Sequence, residues 1–177
     1  MQNMPAIILS FVLVMLASPP ARAADRQETF SRFGKVEILG NGPHYLDMAA
    51  GRFDAFDGDD ALAANLEWRG GKKYYFIGPV IGLLANTDEA FFGYAGIHAD
   101  FAIGDFALNL SWGAGGYERG DSKDLGGVFQ FIENLTIDYR LENGLRAGVR
   151  YQHISNADLH DSNPGNDSLF LSLAFPF

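Results

Sequence analysis

Asp167-Ser168-Leu169-Phe170-Leu171-Ser172-Leu173-Ala174-Phe175-Pro176-Phe177 places Leu169, Leu171, Leu173, Phe175 and Phe177 on every second position. A period of two belongs to a strand, whose side chains point alternately to opposite faces, and one face here is strongly apolar. The stretch closes the sequence on an aromatic residue. Just upstream, His153 and Ser155 precede the loop from Asn156 to Asn166, and Asp167 follows it. A base, a nucleophile and a carboxylate therefore share the parity of the apolar row. One strand face turns from greasy to reactive at its tip.

Outward from this strand the chain is a succession of alternating segments separated by polar, Gly-rich breaks. Segments are expected at Tyr45 to Phe56, Leu62 to Trp68, Tyr74 to Leu84, Phe91 to Phe101, Phe106 to Trp112, Val128 to Tyr139 and Leu145 to Tyr151. A polar lead from Ala24 to Pro43 precedes them. With the closing strand the count is eight, and an even number of strands of about 9–11 residues suits a small outer-membrane barrel. The expected fold is all-β: an eight-stranded antiparallel transmembrane β-barrel of the outer-membrane type.

The breaks after the second, fourth and sixth segments are tight, and those after the fifth and seventh are long. Such barrels keep short turns on the periplasmic side, so the loop from Asn156 to Asn166 falls outside the cell. Trp68, Trp112, Tyr139, Tyr151, Phe175 and Phe177 would supply interface aromatics. The opposite faces carry Asn65, Glu67, Asn109, Ser111, Arg146, Arg150 and Gln152, which would fill an interior with no open pore. Glu67 with Arg146 or Arg150 is a candidate interior ion pair. The alternative architecture is a soluble lipocalin-like barrel with its apolar face inward, because Arg146, Arg150 and Gln152 would suit water equally.

The whole chain agrees with one domain. Its 177 residues suffice for a sizeable core. Cysteine is absent, which removes thiolate catalysis, disulfides and Cys-ligated metals. A formal charge of −9 argues against a nucleic-acid surface. Ala6 to Ala17 is almost wholly apolar and is followed by Pro19-Pro20 and Ala21-Arg22-Ala23. An apolar core before an A-x-A site reads as a secretory signal peptide. Residues 1–23 are expected to be removed, leaving 24–177 as a single barrel domain. Loss of Arg22 takes the charge from −9 to −10.

A serine hydroxyl is a weak nucleophile until a base takes its proton, and that base needs a third group to hold its tautomer. His153 and Ser155, two apart on one strand face, bring Oγ close to Nε2, and Asp167 from the next strand could accept from Nδ1. Asn156 and Asn163 are candidate amide donors for an oxyanion, with Gly165 as flexible backbone. Other clusters have plainer readings. Asp57, Asp59 and Asp60 offer hard oxygens for Ca²⁺, but their spacing is not that of an EF-hand and a solvated outer loop fits better. His44, His98, His153 and His160 show no metal-ligand spacing, so no metal or other cofactor is expected. Arg119 and Lys123 could meet anionic lipid groups or simply be solvated.

His153-Ile154-Ser155-Asn156-Ala157 resembles the His-x-Ser-Asn-Ala signature of the PagL family of outer-membrane lipid A 3-O-deacylases. In that family an Asn and an acidic residue follow, as Asn163 and Asp167 do here. The resemblance implies an eight-stranded barrel with an exterior site hydrolysing the acyl ester at position 3 of lipid A. It implies His153 as base, Ser155 as nucleophile, Asp167 as orienting acid and Asn163 as oxyanion donor. The implied partners are lipopolysaccharide, the outer membrane and a homodimeric copy. Two positions depart from the pattern: the acid is usually Glu, and Asp158 stands where Gly is usual. The competing readings are a non-enzymatic barrel for adhesion or membrane integrity, and a lipid A palmitoyltransferase with an interior hydrocarbon pocket.

Overall fold

Leu62, Ala64 and Leu66 are exposed while Ala63, Asn65, Glu67 and Arg69 between them are buried. The same inversion recurs around the structure, a computed structural model that describes residues 27–57 and 61–177. The signal-peptide residues 1–23 and Gly58, Asp59 and Asp60 of the candidate Ca²⁺ loop lie outside the described residues. Arg69, Arg146 and Arg150 are at most 1% exposed, whereas Leu171 is 72% exposed. Apolar side chains outward and arginines inward exclude the lipocalin-like alternative and require a surrounding lipid phase.

Ten strands are present among the described residues: β1 (Thr29–Phe33), β2 (Val36–Leu39), β3 (Tyr45–Arg52), β4 (Leu62–Arg69), β5 (Ile77–Asn86), β6 (Phe91–Ile103), β7 (Phe106–Glu118), β8 (Phe129–Arg140), β9 (Arg146–Ser155) and β10 (Asn166–Pro176). Strands β3 to β10 pair antiparallel with their chain neighbours, and β10 returns to β3 from Leu169↔Arg52 to Pro176↔Tyr45. The sheet closes into an eight-stranded barrel. Closure leaves no backbone edge to face lipid, which is what permits strands to cross a bilayer. The barrel is of the outer-membrane type, with residues 119–128 and 156–165 forming longer loops at one end.

The two additional strands replace the expected polar lead. β6 runs past the start of β5, which begins at Ile77↔Ala99, so its inner end would present an unpaired edge. β2 covers it through Glu37↔Ala102 and Leu39↔Asp100, and β1 folds back on β2. Two expected boundaries also shift. β3 stops at Arg52 because Phe53 turns inward and Asp54 takes a left-handed φ of 54°. β5 starts at Ile77 rather than Tyr74 because Lys73 bends into the barrel to pair with Asp100 at 2.7 Å.

The interior has two layers. Asp47 accepts from Arg69, and its other oxygen forms an ion pair with Arg150 at 2.8 Å. Glu67 lies 3.4 Å from Arg69 and 3.7 Å from Arg150, and accepts from Tyr94 at 2.8 Å and Asn134 at 3.1 Å. The expected Glu67–Arg150 pairing is thus a loose one within a ladder. Arg146 pairs instead with Asp100, at 2.9 Å, where Gln27 also joins. Towards the loop end the filling becomes apolar: Phe53, Phe92, Tyr117, Ile132, Ile154 and Phe170 form one buried cluster. With this end packed by rings and aliphatics, the interior gives no support to a hydrocarbon pocket.

Asp47 serves two buried guanidinium groups, so Asp47→Ala leaves both short of a counter-charge. Removing one partner of a buried pair costs ~3–5 kcal/mol. The variant should still fold in micelles, but its heat-induced shift in electrophoretic mobility should begin at a clearly lower temperature. An unchanged transition would show that the ladder does not depend on Asp47.

Candidate active site

β9 delivers Tyr151, His153 and Ser155 to the outer wall, alternating with buried Gln152 and Ile154. Burial of Arg150, Gln152 and Ile154 fixes that phase. Asp167 on β10 is the direct cross-strand partner of His153, and Glu133 on β8 is the partner on its other side. His153 Nδ1 is 2.7 Å from Asp167 Oδ1. With Asp167 accepting from Nδ1–H, the other ring nitrogen, Nε2, is the acceptor and faces away from Asp167. Ser155 lies two residues along the same face. Its hydroxyl has no hydrogen-bond partner among the described residues. Tyr151, one step down the row, donates its hydroxyl to the same Oδ1 of Asp167.

The loop that follows is held from inside. Leu159 N–H donates to Asn156 O at 3.0 Å, closing a turn whose central residues Ala157 and Asp158 have φ of 51° and 61°. Two consecutive positive φ values define the type I′ geometry. Asn156 is fully buried, and its side-chain amide donates to Leu125 O and Ser162 O, both at 2.8 Å. Its backbone N–H donates to Asn163 Oδ1 at 3.0 Å. Asn156, expected as an oxyanion donor, thus points inward with its side-chain donors on two carbonyls and its backbone N–H on Asn163. Asn163 accepts through Oδ1, and its Nδ2 has no hydrogen-bond partner among the described residues. Gly165, at φ 66°, passes the ring closely; a Cβ there would lie 3.4 Å from His153 Cε1.

The flanking wall is aromatic. Phe131 is the cross-strand partner of Ser155 and stacks on Trp112 at 5.6 Å. Leu135, Val149, Leu169 and Leu171 continue the face below. Above it, the cations considered for lipid phosphates are already engaged. Arg119 pairs with Asp124 at 2.8 Å, and Lys123 with Asp54 at 2.7 Å and Asp57 at 3.0 Å. Burial alone would lower the Lys123 ammonium, but Asp54 and Asp57 outweigh it and hold its pKa above the ordinary lysine value. Among the described residues no cluster of three or more His, Asp or Glu is placed to hold a metal. His98 is a satisfied interior residue, 3.1 Å from Gly70 O and 3.3 Å from Asn109.

Two residues of this neighbourhood escaped the sequence reading. Glu133 was not singled out within the segment from Val128 to Tyr139, and Tyr151 was expected only as an interface aromatic. The signal for Glu133 was its outward parity, on which a carboxylate faces lipid unless something uses it.

Known proteins share this fold and sequence pattern. The family model for lipid A 3-O-deacylase (PagL) matches residues 42–176. The chain belongs to the PagL family. It is 33% identical over 92 residues to lipid A deacylase PagL of Bordetella bronchiseptica, an alignment covering 51% of this chain and 44% of that one. The match therefore spans less than half of that relative. The crystal structure of the outer membrane enzyme PagL superposes with a TM-score of 0.58 at 19% identity, covering 75% of this chain and 99% of that one. A de novo designed transmembrane β-barrel superposes with a TM-score of 0.59 at 11% identity, covering 79% and 99%. At those identities the superpositions establish the barrel fold.

The loop bonds of Asn156 yield a test separable from chemistry. Asn156→Ala removes two buried donations and should destabilise the 156–165 loop by ~1–3 kcal/mol. Limited proteolysis of the barrel in micelles should then cut within this loop, where the parent resists. Asn163→Ala should leave the cleavage pattern much closer to the parent's.

Proposed function

We propose that this barrel hydrolyses the ester-linked acyl chain at position 3 of lipid A, from the outer side of the outer membrane, by a serine-histidine-acid route. The observation that carries the reading is the 2.7 Å His153–Asp167 pair on the lipid-facing wall, with Ser155 on the same row. A charged side chain on that wall costs ~2–4 kcal/mol at the midplane but ~0–1 near the interface. A barrel serving only adhesion or membrane integrity has no use for such a pair there. Family membership supplies the substrate class.

The chemistry follows from the arrangement. Ser155 Oγ attacks the ester carbonyl carbon while its proton passes to His153 Nε2. The imidazolium so formed is stabilised through Nδ1–H by Asp167, which stays ionised. Asn163 Nδ2 donates to the developing oxyanion. Collapse breaks the bond to the sugar oxygen, which takes the proton from His153 and leaves as the alcohol. Water then attacks the acyl-serine with His153 as base, and the second collapse returns the proton to Ser155 Oγ and frees the fatty acid. The acyl chain of the substrate can lie along Trp112, Phe131 and Leu135, outside the barrel. Every group in this scheme comes from one chain, so it requires no second copy.

Mass spectrometry of lipid A incubated with the barrel in micelles should show loss of the acyl chain at position 3. Ser155→Ala and His153→Ala should each lower kcat by about 10³-fold or more with the heat-shift of the fold intact. Asp167→Ala should cost about 10²-fold or more, mainly in kcat, and Asp167→Glu much less, because it relocates the acceptor rather than deleting it. Full activity in Ser155→Ala would refute the serine route.

A further inference from the structure

Tyr151 lies where a lipid-facing aromatic needs no hydroxyl. Its ring is outward, its cross-strand partners are Leu135 and Leu169, and a phenylalanine would cover the same wall. The hydroxyl nevertheless donates to Asp167 Oδ1, the oxygen that also accepts from His153 Nδ1. We propose that Tyr151 is a positioning residue, which fixes the Asp167 carboxylate against His153 and shares its charge. The inference rests on the reading of His153, Ser155 and Asp167 as an esterase site.

The physical reason is the position of Asp167 at the edge of a membrane. Among the described residues, two bonded side-chain donors converge on one carboxylate oxygen, Nδ1–H on one side and the phenol on the other. In a medium poor in water such a donor is worth more than in bulk solvent. It restricts the carboxylate to the rotamer that meets Nδ1. It also takes part of the negative charge that would otherwise act on the imidazolium. The other charged groups around the pair are Glu133 on β8, Arg52 of β3 opposite Leu169, and Lys123 of the loop before β8, whose charge acts on Asp167. None of these is removed by changing Tyr151. The phenol keeps its proton throughout and transfers nothing.

The test is Tyr151→Phe, alone and combined with Asp167→Ala, on lipid A and on a p-nitrophenyl acyl ester in the same micelles. The heat-shift in mobility should match the parent's, since the ring remains. The expected result is a fall in kcat of about five- to tenfold with KM within about twofold, whereas a loss of wall packing would move KM as well. In the Asp167→Ala background the same change should do nothing further. Parental kcat overturns the inference, as does a loss that persists undiminished when Asp167 is absent. Cleavage of the synthetic ester without lipid A would fault the proposed substrate while leaving the role of Tyr151 readable. A parent inactive on both esters overturns both.

Discussion

Register between β9 and β10 is the constraint on which the site depends. Side chains on a strand alternate strictly, so a slip of one residue would carry His153, Ser155 or Asp167 into the interior and bring buried groups out to lipid. The register is locked from within. Arg150 reaches Asp47 on β3 and Asn65 on β4, Gln152 donates to Asn134 on β8, and Ser172 donates to Asp138. Each of these bonds spans strands and has no substitute in a shifted arrangement. The polar interior thus sets the positions of residues on the opposite side of the wall. Chemistry outside is indexed by salt bridges inside.

The layering of the interior bears on where a fatty chain can go. Near the reactive end the barrel is filled by Phe53, Phe92, Tyr117 and Phe170, with Phe53 stacked on Tyr117 at 6.5 Å and Phe92 meeting it edge-on at 6.3 Å. A palmitoyl chain has no room among them without displacing aromatic rings. The exterior wall, already in contact with acyl chains, has Trp112 and Phe131 beside Ser155. Hydrocarbon therefore meets the reactive groups without leaving the membrane. Exposure of the His153–Asp167 pair, which in a soluble protein would be exposure to water, is here exposure to the edge of the acyl-chain layer.

How legible this was depended on period. The eight barrel strands were readable because lipid outside and charge inside give each a period-two pattern, clearest at Leu62 to Trp68 and Leu169 to Phe177. The β1–β2 hairpin was not readable, since Phe30, Phe33, Val36 and Ile38 make only short, weak alternations. It exists because β6 leaves an edge to be covered, a tertiary fact no local pattern carries. At the site, parity grouped His153, Ser155 and Asp167 correctly on one face. It also placed Asn156 on the other face, and applying the rule strictly would have removed Asn156 from the donors. The Tyr151–Asp167 bond joins residues diagonal across two strands and needs the register to be seen.

The two departures from the family pattern have backbone explanations. An acid one methylene shorter than Glu must start nearer the imidazole. Asp167 does, as the direct cross-strand partner of His153, because such partners begin with Cβ atoms ~4.5–5.5 Å apart. One methylene spans that gap, and no bridging water is needed for the 2.7 Å contact. At Asp158 the backbone is left-handed, with φ of 61°, which glycine adopts freely and Asp tolerates better than most other residues. Ala157, at φ of 51°, lacks a side chain that could bond locally in compensation and carries strain of order 1–3 kcal/mol. The bonds of Asn156 to Leu125, Ser162 and Asn163 hold the turn closed against that strain. The buried Asn of the motif thus acts through the backbone: it bends the chain back over the end of β9 directly after the serine and fixes the carbonyl of Asn163.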